Sequence, residues 1–140
     1  MQTLPLTRDL VLVGGGHAHA LVLLKWAMDP LPGARLTVID PNPTAPYTGM
    51  LPGHIAGHYR RADLEMDLVA LCRHAGARLI LGRATGLDPV AKTVTVPGRP
   101  PIAYDVASVD VGITSDLPTL PGFMDFTMSA MLRCIFSSRF

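Results

Sequence analysis

Apolar positions along the chain fall into short blocks punctuated by glycine and proline. Residues 9–13 are apolar without alternation after Asp9, the pattern of a parallel strand buried on both faces. Gly14, Gly15 and Gly16 follow as a turn. Leu21, Leu23, Leu24 and Trp26 then lie on a helix that stops near Asp29-Pro30, because proline disfavours helical geometry in the residue before it. Leu31-Pro32-Gly33 reads as loop, and residues 35–40 as a second strand with Leu36, Val38 and Ile39 as its apolar body. Residues 41–46 carry too much proline for a helix or a central strand. Residues 48–59 read as loop with a single helical turn.

Asp63 is the predicted N-cap of a helix running to His74, with Gly76 as its stop. Leu64, Leu68, Leu71 and Cys72 recur at helical spacing and form its buried face. Residues 78–81 are a third parallel strand. Beyond Gly82 the period changes. Residues 84–87, 93–96 and 102–106 are three short strands, with Asp88-Pro89 and Pro97-Gly98 at the turns between them, which predicts an antiparallel meander. Residues 108–111 form a last apolar strand ending at Gly112.

The carboxy-terminal stretch is compositionally different. All 4 phenylalanines lie between Phe123 and Phe140, whereas all 13 prolines precede Phe123. The expected organisation is therefore a domain over residues 1–122 and an atypical apolar tail over 123–140, helical or disordered. Hydrophobic residues make up 49% of the chain and charged ones 16%, which excludes a disordered polyelectrolyte. The net charge of +1 is spread along the sequence without a basic stripe, so nucleic acid is not an expected partner. Cys72 and Cys134 stand in no C-x-x-C context, which excludes a redox dithiol and fits a reduced, cytoplasmic setting. No stretch approaches the roughly 18 apolar residues of a membrane span, although contact with a membrane surface stays open. His54 and His58 are four apart, but Gly53 and Gly57 interrupt that helix face and no third ligand has metal-site spacing, so no metal is expected.

The chemistry sits at the first glycines. Strand, Gly14-Gly15-Gly16, helix, second strand and a closing acid, Asp40, is the layout of a βαβ unit that holds a dinucleotide pyrophosphate. Gly14 permits the tight turn, and Gly16 leaves room for a phosphate against the backbone. The helix start aims N–H groups, those of His17 and Ala18 among them, and its positive dipole end at the phosphates. Asp40 lies 21 residues after His19, near the spacing of an acid that binds ribose hydroxyls. The third small residue of the fingerprint is replaced by His19. That residue packs helix against strand, so a histidine there is expected to be half-buried, with the helix tilted away or the side chain turned outward.

Three stretches carry a resemblance to a known family: Val11-Leu12-Val13-Gly14-Gly15-Gly16-His17-Ala18-His19, Tyr47-Thr48-Gly49-Met50-Leu51-Pro52-Gly53-His54-Ile55-Ala56-Gly57, and Tyr104-Asp105 with Ser108-Val109-Asp110-Val111-Gly112-Ile113-Thr114. Over residues 10–123 the chain resembles the amino-terminal flavin-binding region of pyridine nucleotide-disulfide oxidoreductase-like flavoproteins. It is most similar to their NADH dehydrogenase-like branch, some members of which are fused to selenide, water dikinase, with sulfide:quinone oxidoreductases as cousins. A histidine after the glycines is familiar in that branch. The resemblance implies an α/β, Rossmann-like FAD/NAD(P)-binding domain with a parallel sheet, helices and a three-stranded antiparallel meander. It implies FAD, with the pyrophosphate on Gly14, Gly16, His17 and Ala18 and the adenosine ribose on Asp40. It also implies Ala84 against adenine, Met50, Leu51 and Pro52 towards the flavin, and Gly112 and Ile113 close to the cofactor. The implied chemistry is hydride transfer from NAD(P)H to FAD and on to a quinone-like or other acceptor. Family members are longer, with a second dinucleotide fold, so a shortened form without turnover of its own is expected. Two other readings stay open: a nucleotide-binding module that self-associates into a homo-oligomer through its apolar tail, and an NAD-binding domain.

Overall fold

A computed structural model describes residues 8–111. They fall into two compact units, one formed by residues 8–45 and 67–111, the other by 46–66. The tail boundary expected after residue 122, and the candidate site residues Gly112 and Ile113, lie outside the described residues.

The larger unit is built on four parallel strands. β1 (Arg8–Val13) leads through the glycine turn into α1 (His17–Met28), and β2 (Ala34–Asp40) returns beside β1. α3 (Leu68–Ala75) leads into β5 (Arg78–Leu81), which extends the sheet beyond β2. The last strand, β9 (Val106–Val109), pairs with the opposite edge of β1, so the order is β5-β2-β1-β9. Parallel strands need long crossovers, and the chain uses helices for two of them. Between β5 and β9 it uses β6 (Gly86–Asp88), β7 (Thr93–Thr95) and β8 (Ile102–Ala103), an antiparallel three-stranded sheet with β7 at its centre.

Each face of the sheet is covered. On one face Leu12, Leu36 and Val38 pack with Leu23 of α1 and Cys72 and Ala75 of α3. On the other, Val11, Val13, Ile39 and Ile80 pack with Val94, Val96 and Ile102 of the meander. Coverage on both faces is why these strands read as continuous apolar runs.

The parallel strands at 9–13, 35–40 and 78–81 appear where the pattern predicts, with ends shifted by at most one residue, and the meander follows with ends shifted by up to three. Two expectations change. The helix predicted from Asp63 begins at Leu68. Its N-cap is Asp67, whose carboxylate accepts the Ala70 N–H at 2.9 Å, and its stop is Gly76 at φ +63°. Leu64 therefore leaves the helix for a 3-10 turn (Arg61–Leu64). The third meander strand, expected over 102–106, ends at Ala103, and Val106 belongs to β9, which starts two residues before the last strand expected from 108. On α1, Leu21 and Leu24 are exposed, and His19, Ala20 and Leu23 are the buried positions.

The smaller unit holds a 3-10 turn (Thr48–Met50), α2 (Leu51–Ile55) and the 3-10 turn at Arg61–Leu64, more helix than the single turn expected. Leu51 and Leu64 are its buried side chains, and the Tyr47 N–H donates to the Leu64 carbonyl at 2.7 Å. Asp63 caps the second turn by accepting the Arg60 N–H at 2.9 Å. The Arg60 guanidinium holds that carboxyl below its usual range. β3 (Thr44–Pro46) and β4 (Glu65–Asp67) pair as a two-stranded sheet. Among the described residues no helix is long and apolar enough to cross a membrane.

Candidate dinucleotide-binding site

β1 lies at the topological switch point of the sheet. The chain leaves it for β2 on one side and comes back to it with β9 on the other. In open α/β sheets ligands bind outside the carboxyl ends of the strands at such a point. Here those ends carry Gly14-Gly15-Gly16 after β1 and Asp110 after β9, joined by hydrogen bonds from Asp110 N–H to the Val13 carbonyl (2.8 Å) and from Gly16 N–H to the Asp110 carbonyl (3.3 Å).

Gly14 has φ +93°, and a Cβ on it would collide with the Asp110 backbone, so the turn requires glycine twice over. Its N–H donates to the Ile39 carbonyl at 2.8 Å. The Gly15 N–H donates to Asp40 Oδ2 at 2.7 Å, while Asp40 Oδ1 accepts the Asn42 N–H at 2.8 Å. Asp40, half-buried at the end of β2, thus holds the turn from below. Gly16 is the N-cap of α1 and brings no side chain to the helix start. The missing cap comes from Asp110, whose Oδ2 accepts from Ala18 N–H at 3.1 Å and from His19 N–H at 3.5 Å. A Cβ on Gly16 would strike the Asp110 carboxylate.

His19 departs from its expected half-burial. Its side chain is only 2% exposed and points inward, with Nδ1 2.7 Å from the Gly14 carbonyl and Nε2 2.9 Å from Ser108 Oγ. A neutral ring with Nδ1–H donating to Gly14 and Nε2 accepting from the Ser108 hydroxyl satisfies both contacts. In place of the packing glycine, the imidazole ties α1 to the turn and to β9.

Gly14, Gly16, His17, Ala18 and Asp40 are thus brought together at one end of the sheet. Ala84 lies between β5 and β6, half-buried against the meander-side core. Met50, Leu51 and Pro52 belong to the smaller unit, at the start of α2. Asp110 is the residue that sequence reasoning missed. Its contacts with the helix start span 91 and 92 residues, and only the placement of β9 beside β1 reveals them. His54 Nδ1 contacts the Tyr59 carbonyl at 2.7 Å, and among the described residues no three His, Cys, Asp or Glu side chains converge on a metal-sized site.

A glycine turn at a switch point, a helix start behind it and an acid at the end of the second strand define a Rossmann-like dinucleotide-binding fold. No family model matches the chain. It is 32% identical over 127 residues to the NADH dehydrogenase-like protein YutJ of Bacillus subtilis (strain 168), a match that covers 87% of this chain and 34% of that protein. Solved structures share the fold, two of them as follows. The sulfide:quinone oxidoreductase from the hyperthermophilic bacterium Aquifex aeolicus superposes with a TM-score of 0.62 at 24% identity, covering 76% of this chain and 24% of that one. The water-forming NADH oxidase from Lactobacillus brevis, bound to NADH, gives 0.64 at 20% identity, covering 85% and 28%. The chain spans about a third of the curated relative. It is similar to the amino-terminal region of pyridine nucleotide-disulfide oxidoreductase-like proteins, as its motifs imply.

Proposed function

We propose that the chain is the FAD-binding portion of an NAD(P)H-dependent flavin oxidoreductase that passes electrons to a quinone-like or other acceptor. The observation that carries this reading is the glycine turn at the switch point with Asp40 beside it. Gly14 and Gly16 bring no side chain of their own to the turn, and the His17 N–H and, once Asp110 releases it, the Ala18 N–H would meet the pyrophosphate at the positive end of α1. Asp40 already accepts two backbone N–H groups. A carboxylate has about four acceptor positions, so it retains capacity for ribose hydroxyls. Ala84 would meet the adenine, while Met50, Leu51, Pro52, Gly112 and Ile113 would serve the flavin end. Bound FAD supplies hydride acceptance and onward electron transfer, and the protein binds and orients it.

The exposed apolar side chains of the edge strand, Val106 and Val109, favour a second reading as a self-associating nucleotide-binding module. Thermal denaturation of the full chain with FAD, ADP or NAD tests the first. Stabilisation by FAD above NAD, with ADP intermediate, is expected. Stabilisation by NAD above FAD would move the reading to an NAD-binding domain.

A further inference from the structure

At the glycine turn the position that a phosphate would seek is already filled. Gly16 leaves a space against the backbone, and the Asp110 carboxylate fills it. That carboxylate also takes the Ala18 and His19 N–H groups, the donors that a helix start offers to an anion. Asp110 takes part in none of the ion pairs among the described residues, so backbone N–H groups and the helix dipole are what balance its charge. A phosphoryl group would seek the same donors in the same space, and the two anions repel at that range.

We propose that Asp110 sets the affinity and charge selectivity of this site: its carboxylate occupies the anion position of the glycine turn, and a phosphate ligand binds by displacing it. The identity of that ligand as a dinucleotide rests on the reading above. The displacement is local. The Asp110 backbone is held on both sides, by Val13 and by Gly16, so the side chain alone must rotate. The cost of displacement falls on every phosphate ligand and rises with the ligand's negative charge. Neutralising Asp110 therefore tightens anion binding, and added salt narrows the difference between variant and wild type.

The test compares the full chain with Asp110→Asn, which keeps a capping carbonyl without the charge, and Asp110→Ala, with circular dichroism to verify the fold. Inorganic phosphate is titrated while the amide resonances of Ala18 and His19 are followed by NMR, and FAD affinity is measured in parallel. Phosphate is expected to bind Asp110→Asn about tenfold or more tightly than wild type at low salt. Should Asp110→Ala fail to fold, Asp110→Asn decides alone. Equal or weaker phosphate binding by the folded variants overturns the proposal and leaves Asp110 as a helix cap. Tighter phosphate binding without FAD binding by any of the three proteins upholds the role of Asp110 and overturns the dinucleotide reading instead.

Discussion

Two polar side chains buried in the larger unit have opposite consequences for stability. Thr37, on the meander face of β2, is 1% exposed, and its hydroxyl has no hydrogen-bond partner among the described residues. His19 is equally buried but bonded through both ring nitrogens. An unsatisfied buried hydroxyl costs its desolvation, whereas a satisfied imidazole leaves stranded partners and a cavity when removed. Thr37→Val is thus expected to stabilise the fold by about 1 kcal/mol, and His19→Ala to destabilise it by about 2–4 kcal/mol, read from urea midpoints. Loss of stability in Thr37→Val, or no change in His19→Ala, would contradict these assignments. The sequence marks His19 as an intruder at a packing position. It does not show that Ser108, 89 residues away, is ready to receive the ring.

Elements were legible where one local signal dominates. The apolar-rich stretches at 9–13, 35–40 and 78–81 are parallel strands covered on both sheet faces, and the proline and glycine turns locate the meander. Two competing signals produced the errors. Asp63 and Asp67 both precede apolar residues at helical spacing, and only Asp67 has its carboxylate on an N–H of the helix that forms. Asp67→Ala should therefore lower stability by about 0.5–2 kcal/mol and reduce the helical circular dichroism signal, in line with loss of a helix cap. Insensitivity to Asp67→Ala would put the helix start elsewhere. On α1 apolar residues lie nearly all the way round, so periodicity carries no information about which side faces the sheet.

The whole molecule is organised by the strand order, which no local pattern contains. β9 beside β1 creates the switch point and delivers Asp110 to the glycine turn, so half of the candidate site was legible and half was not. The same packing buries Cys72 under α3 against the sheet, and burial pushes its thiol from 9.0 up to about 11. A raised folded value means that the unfolded chain loses the proton first. The contribution of this group is fully present below pH 9 and is lost as the pH rises towards 11, at most about 3 kcal/mol. Stability should fall more steeply over that window in wild type than in Cys72→Ala; parallel profiles would contradict it. The central claim, that the turn at the switch point holds FAD, is tested most directly by titrating the full chain into FAD and following flavin fluorescence, alongside Asp40→Ala. The account predicts saturable one-to-one binding, competed by ADP and weakened about tenfold or more in Asp40→Ala. Absence of saturation, or equal affinity in the variant, would contradict it.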